Sequence, residues 1–230
     1  MNKQLVLEKL HGNLIVSCQA LQGEPLHGSK IMGKMALAAQ QGGASGIRAN
    51  SVRDILEIRK RVDLPIIGII KKNYKDSQIY ITPTITEIKS LINSPAEIIA
   101  MDATMRKRPK NAQLPEMLEL VKESGKLAMA DISTYEEGVD AKKLGFDIVS
   151  TTLSGYTEQS TSSNAPNFEL IRQLKNTLNI PIIAEGHIKT PQELIQTIKC
   201  GAYCAVIGSI ITRPQVITKY FVTALKCLKR

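Results

Sequence analysis

Eight short runs rich in Ile, Val and Ala recur along the chain, and the stretches between them carry amphipathic segments of about ten to fourteen residues. The runs are NLIVSCQ (13–19), ASGIRA (44–49), PIIGIIK (65–71), EIIAMDAT (97–104), KLAMADIS (126–133), DIVSTTLS (147–154), PIIAEGHI (181–188) and YCAVIGS (203–209). A strand buried on both faces is apolar throughout, and parallel neighbours need a crossover connection between them, so this is the pattern of successive βα units. Helices are expected over 30–41, 52–61, 85–93, 114–124, 135–144, 167–178, 191–199 and 214–227. Local signals support them. Thr190 stands before Pro191 with Glu193 placed to complete a capping box, while Gly125, Gly145 and Gly201 fall where a helix end favours a left-handed residue.

Eight such units in 230 residues select a closed (β/α)8 TIM barrel over an open doubly wound sheet, which usually has fewer strands. Neither a GxGxxG turn nor a GxxxxGK[ST] loop is present, which argues against nucleotide binding. No linker rich in Pro, Gly or Ser interrupts the chain, so a single catalytic domain over 1–230 is expected.

The longest apolar runs, such as PIIGII at 65–70, fall far short of the roughly 20 residues a membrane helix needs, so no membrane partner is expected. The N-terminus places Glu8, Lys9 and His11 inside what would have to be the apolar part of a signal peptide, which points to the cytoplasm. The x3 spacing of Cys200 and Cys204 matches neither a redox nor a zinc pair and implies burial; Cys18 ends a strand segment beside the expected site. The net charge of +9 invites a nucleic-acid reading, yet Lys and Arg are spread among Glu and Asp and the aromatic fraction is only 4%, so no nucleic acid is expected. The one dense basic run, MRKRPK at 105–110, reads as a solvated surface loop, with contact to a small anion as the alternative.

Barrel enzymes carry their reactive groups at the C-terminal ends of the strands. Gln19, Arg48, Lys71, Asp102, Asp131, Thr152 and Glu185 each end or nearly end an apolar run, and a ring of both charge signs suits a polar ligand. In PIIGIIKK only one of the two lysines can point inward, and Lys71 shares parity with Ile67 and Ile69. Desolvation and neighbouring cations would lower its pKa toward the range useful for proton transfer, whereas burial would raise the carboxyl of Glu185. A solvated strand-end lysine and a structural ion pair are the plain alternatives. Gly186 and Gly208 allow backbone N–H groups to approach an anion closely, and Arg213 lies just past the eighth strand, where it can add a bidentate contact. His11, His27 and His187 lack metal-ligand spacing and no carboxylates cluster, so no metal is expected.

The strings GNLIVSCQAL, EPLH, PIIGIIK with NY, YITPT, MDAT with RKRP, LAMADIST, GFDIVSTTLSGYT and ITRP together resemble those of the N-acetylmannosamine-6-phosphate 2-epimerases. The likeness runs from about Gly12 to about Lys219. It implies a phosphate-binding (β/α)8 barrel of sialic-acid catabolism that interconverts N-acetylmannosamine 6-phosphate and N-acetylglucosamine 6-phosphate without a cofactor. On this resemblance Lys71 and Glu185 are the catalytic pair. Gln19, Arg48 and Asp131 would contact the sugar, and Gly186, Gly208 and Arg213 the phosphate. The chain departs from the pattern at His187, where an arginine is expected after the Glu-Gly dipeptide.

Such a reaction needs two acid–base groups, because the carbon-2 proton becomes acidic only once the sugar ring has opened to an aldehyde. Which of the two serves which step is left open by the residues. A Schiff-base aldolase or lyase and a non-catalytic phosphosugar-binding barrel are the competing readings. The apolar residues Val216, Tyr220, Phe221 and Leu225 of the last helix suggest a homodimer.

Overall fold

A computed structural model describes residues 2–227; the two ends of the expected 1–230 domain, Met1 and residues 228–230, lie outside the described residues. Its elements begin with α1 (Lys3–Leu10), β1 (Leu14–Cys18), α2 (Ser29–Gln41), β2 (Gly46–Asn50), α3 (Val52–Arg59), β3 (Ile66–Ile69), α4 (Ile85–Ile92) and β4 (Ile98–Asp102). A 3-10 turn (Pro109–Asn111) leads into α5 (Leu114–Glu123), β5 (Leu127–Asp131), α6 (Tyr135–Leu144), β6 (Ile148–Ser150), α7 (Phe168–Thr177), β7 (Ile182–Glu185), α8 (Pro191–Lys199), β8 (Cys204–Ile207), α9 (Ser209–Thr212) and α10 (Pro214–Cys227).

The strands form one closed barrel in which each pairs in parallel with its neighbour in sequence and β8 returns to β1, a (β/α)8 TIM barrel. Alternation along each strand sorts the side chains into two shells. Ile15, Ile67, Ile69, Met129, Ile183 and Val206 fill the barrel interior, whereas Val16, Ile47, Ile66, Ile99 and Val149 pack outward against the helices. Both faces of every strand are therefore buried, which is why the runs are apolar throughout. Cys200 and Cys204 are buried as expected, and Cys18 faces the outer shell away from the mouth. The helix signals also act as read: Thr190 and Glu193 form a capping box, and Gly145 ends α6 with a left-handed φ of 101°.

The structure departs from the sequence expectations at several strand and helix boundaries. Helix α1 precedes the barrel and presents Val6 and Leu10, one turn apart, to the barrel's interior cluster, where they pack with Ile15 and Leu127. β6 stops at Ser150 and β8 at Ile207, because the chain turns through Thr151–Ser154 and through Gly208 into the short α9. An apolar run alone does not disclose such a turn.

The basic run is a correction. Arg108 is buried and donates from Nη2 to the carbonyl of Asp102, while Arg106 Nη2 meets the Asp102 carboxylate at 2.6 Å. Asp102 is itself fully buried, so the two arginines brace a charged strand end in place of a free surface loop; Lys107 and Lys110 remain exposed. Among the described residues no helix is long and apolar enough to cross a membrane.

Candidate active site

A cavity of about 410 Å³ opens at the C-terminal end of the barrel. Gln19, Arg48, Lys71, Glu185, Gly186, Gly208 and Arg213 all line it. Asp131 does not; it is fully buried behind Arg48. Thr152 also faces the cavity, whereas Asp102 is taken up by Arg106 and Thr104.

The floor is a compact charge cluster. Arg48, only 1% exposed, grips Asp131 with both prongs, Nη2 to Oδ2 at 2.5 Å and Nη1 to Oδ1 at 3.1 Å, and it also ion-pairs with Glu185. Burial works against the Arg48 charge, but Asp131 and Glu185 outweigh it and hold the guanidinium protonated. Desolvation raises the carboxyl pKa of Glu185, and the nearby Asp131 charge adds to that rise against the pull of Arg48. One face of the cavity thus holds a carboxyl that takes up a proton more readily than an ordinary glutamate.

Across from it Lys71 continues beyond β3. Its backbone N–H donates to Asn50 Oδ1 at 2.8 Å, and the residue forms an antiparallel bridge with Ile81 of the returning loop. That loop brings the Tyr80 ring to 5.9 Å from Nζ. Its path depends on Thr82, a β-branched residue held at a φ of 45° by its hydroxyl bond to the Ala100 carbonyl at 2.7 Å. Burial first, then Arg48 and Arg213, bring the Lys71 pKa down to about 8, with Glu185 and Asp131 opposing. Among the described residues Lys71 makes no salt bridge, so the structural Lys–Glu pair weighed from the sequence does not form; the partner of Glu185 is Arg48.

The opposite rim is built from turns. Gly186 has a φ of 109° and is followed by His187 at 58°, so two left-handed residues in succession turn the chain out of β7. His187 stacks on Tyr156 at a ring separation of 4.5 Å, and its Nε2 is buried without a partner. Desolvation, then Lys189, lowers the His187 pKa, so its ring is neutral at pH 7. A side-chain methyl on Gly208 would stand 3.3 Å from Ser17 Cβ, so β1 and the turn after β8 approach closely there. Arg213 closes this side, with Nε and Nη2 on the Glu24 carboxylate at 2.7 and 2.9 Å and Nη1 on Ser209 Oγ at 2.9 Å.

Tyr80, Tyr156, Ser17 and Glu24 were not singled out from the sequence. Tyr80 and Tyr156 sit in the YITPT and SGYT strings, but nothing local to those strings points a ring into the barrel mouth.

Fold and site together define a class of protein: a (β/α)8-barrel enzyme whose C-terminal mouth holds titratable groups tuned toward neutral pH. The family comes from comparison with known sequences. The profile described as "Putative N-acetylmannosamine-6-phosphate epimerase" matches residues 32–227, and the chain belongs to that family. A protein of Clostridium perfringens (strain 13 / Type A) carrying that designation as a 2-epimerase is 58% identical over 221 residues, covering 96% of this chain and 100% of that protein. One from Clostridioides difficile (strain 630) is 53% identical over 221 residues, with 96% and 99% covered. The solved N-acetylmannosamine-6-phosphate 2-epimerase of Clostridium perfringens superimposes with a TM-score of 0.94 at 57% identity, covering 95% of each chain. Thiamine phosphate pyrophosphorylase of Pyrococcus furiosus, at 14% identity and a TM-score of 0.62, shares the fold alone.

Proposed function

We propose that this chain inverts carbon 2 of N-acetylmannosamine 6-phosphate to give N-acetylglucosamine 6-phosphate, with Lys71 and Glu185 carrying the protons. The observation that supports the reading best is that both groups line one cavity and are shifted toward neutrality from opposite directions, the lysine down to about 8 and the carboxyl upward. A neutral amine can take a proton and a neutral carboxyl can give one, which is the pairing that acid–base isomerisation needs.

Ring opening exposes an aldehyde at carbon 1 and makes the carbon-2 proton acidic. Its removal leaves an enediol-like species whose oxygen charge calls for a fixed cation, and Arg48 supplies one that is already paired, oriented and dry. Return of a proton to the other face of carbon 2 gives the epimer. Carbon, oxygen and electrons balance without an oxidant, so the proposed reaction calls for no cofactor.

Gln19 and Arg48 contact the sugar, Asp131 acts by fixing Arg48, and the Gly186 and Gly208 backbones with Arg213 take the phosphate. Gln19 Oε1 is buried without a partner and Nε2 donates to Ser17 Oγ at 2.8 Å, so its carbonyl oxygen is free for a sugar hydroxyl. At His187 a neutral ring replaces the expected arginine and packs on Tyr156, which leaves the phosphate to Arg213.

The same reading places the enzyme in the cytoplasm as a single catalytic domain over 1–230 that works as a homodimer. Support for the dimer is the exposed apolar face of α10, where Tyr220, Phe221 and Leu225 are 58, 64 and 62% exposed.

A proton NMR time course on N-acetylmannosamine 6-phosphate in deuterated water, run on the wild type and on Lys71→Ala, tests the proposal. Conversion to the glucosamine epimer by the wild type and loss of both conversion and carbon-2 exchange in the variant are expected. Near-normal turnover by Lys71→Ala would remove the principal base. Borohydride trapping of an adduct on Lys71, or carbon–carbon cleavage products, would point to imine chemistry instead.

A further inference from the structure

β6 ends at Ser150 and the turn after it begins Thr151-Thr152, and these three hydroxyls are all engaged. Thr151 clamps the backbone of Glu185 from both sides, donating to its carbonyl at 2.9 Å and accepting from its N–H at 3.1 Å. Thr152 stands in the charge cluster, where Oγ1 lies 2.7 Å from Asp131 Oδ1, 3.1 Å from Glu185 Oε2, 3.1 Å from Arg48 Nη1 and 2.8 Å from Ser150 Oγ.

A hydroxyl has one proton to give and two lone pairs to offer. Arg48 can only donate and takes one lone pair, and Ser150 is free to donate into the other. A single proton is then left to serve two carboxyl groups.

We propose that Thr152 is a positioning residue for the epimerisation, its one proton turning from Asp131 to Glu185 whenever Glu185 is a carboxylate and back when Glu185 is protonated. This rests on the reading of Glu185 as a proton-transfer group. The proton never leaves Thr152; only the O–H bond swings about Cβ–Oγ, and no covalent bond forms or breaks. The device suits an enzyme that must give and take a proton at one carboxyl in every turnover, because the carboxylate gains a donor, and the protonated form is released from it, without movement of the carboxyl itself. Asp131 tolerates the loss, since Arg48 Nη2 still donates to its Oδ2 and Nη1 stays 3.1 Å from its Oδ1.

The groups that face Glu185 are Arg48 from β2, Lys71 beyond β3, Asp131 from β5, and Thr152 and Tyr156 from the segment after β6. Of these, Thr152 is the neutral hydroxyl within hydrogen-bond distance of the Glu185 carboxyl, at 3.1 Å, so it can turn its O–H toward or away from that carboxyl without changing charge. Removing its hydroxyl takes a donor from the carboxylate and pushes the Glu185 pKa further up.

The test compares Thr152→Val, Thr152→Ser and Glu185→Gln in kcat and KM over pH, with N-acetylmannosamine 6-phosphate as substrate. Thr152→Val is expected to lower kcat by about 10–100-fold with KM within about threefold, and to move the pH limb that belongs to Glu185 upward. Thr152→Ser is expected to recover most of kcat and the original limb. If the valine variant does not fold, Thr152→Ala against Thr152→Ser carries the same comparison. Wild-type kcat and pH limb in Thr152→Val, or a loss with an unmoved limb that serine does not restore, overturns the proposal. Should Glu185→Gln turn over normally, the reading of Glu185 falls, whereas an inactive Glu185→Gln beside an unaffected Thr152→Val removes the role of Thr152 alone.

Discussion

Glu24 and Arg213, 189 residues apart in sequence, close a two-pronged ion pair at the mouth of the barrel, with Nε on Oε2 at 2.7 Å and Nη2 on Oε1 at 2.9 Å. The hydrogen bond from Arg213 leads the effects that hold the Glu24 carboxyl below the usual glutamate range. Glu24 comes from the loop after β1 and Arg213 from the turn after α9, so the pair ties the two ends of the barrel together beside Gly208.

Arg213→Ala should weaken N-acetylmannosamine 6-phosphate by about 10–100-fold in KM, the range of one or two charged hydrogen bonds, while leaving residual turnover of the unphosphorylated sugar unchanged. Lysine should not restore the loss, because a single ammonium cannot span both the Glu24 carboxylate and a phosphate. Steady-state kinetics on both sugars check this. Equal catalytic efficiency on free N-acetylmannosamine would remove the phosphate role of Arg213.

Lys71 sets a pH limb. If its neutral amine takes the carbon-2 proton, activity should rise with pH through about 8, where the buried ammonium gives up its proton. Stability follows the same window with a definite sign. Between about 8 and the ordinary lysine value of 10.5 the unfolded chain holds a proton that the folded chain has released, so stability rises with pH there. Below the window the folded protein carries a disfavoured charge, at a cost on the order of 1–3 kcal/mol. Lys71→Met should therefore raise the Tm at pH 7 while abolishing carbon-2 exchange, and the gain should fade as pH rises from about 8 to 10.5. A lower Tm for the variant at pH 7 would contradict the account.

Gly186 and Gly208 should fail differently when changed to alanine. At Gly186 the nearest atom to an added Cβ is the Thr151 carbonyl at 3.7 Å, so there is room, but the φ of 109° is hostile to any side chain. Gly186→Ala should cost about 1–2 kcal/mol of stability, read by denaturant unfolding. At Gly208 the backbone is not left-handed and the Cβ meets Ser17 at 3.3 Å, a contact that requires Ser17 to give by a few tenths of an ångström. Gly208→Ala should keep most of its stability but lose about tenfold in KM for the phosphorylated sugar, as the backbone is pushed from the anion. The reverse order of stability losses would show that crowding outweighs backbone strain here.

Helix α10 should lie in a subunit interface. Val216 and Tyr220 also line the cavity, so a partner covering this face would shield the mouth from water. Light scattering at micromolar concentration should give a dimer mass for the wild type and a monomer mass for Tyr220→Glu with Phe221→Glu, together with a higher KM. A monomeric wild type would rule the interface out.

Much of this arrangement was open to reading from local sequence. The eight apolar runs located the strands to within a few residues, the parity of Lys71 with Ile67 and Ile69 turned it toward the barrel, and the Thr190–Glu193 box started α8 as expected. Each of these signals acts over a few residues: burial on both faces requires an apolar run, alternation assigns the faces, and a cap satisfies the first N–H groups of a helix.

Barrel closure decided the rest. Arg48 reaches Asp131 across 83 residues and Glu185 across 137, contacts that exist only because the strands tilt and close on one another. The structural Lys71–Glu185 ion pair that the sequence left as an alternative does not form, and Glu185 pairs with Arg48 for that reason, since strand-end parity says which residues point inward but not which of them meet. Arg108 is buried against the Asp102 carbonyl and Arg106 against its carboxylate, and Tyr80 reached Lys71 through a loop whose course is set at Thr82. Periodicity and caps are properties of a segment, and they determined the elements; charge pairing in a dry, closed barrel is a property of eight segments at once, and only the tertiary structure could settle it.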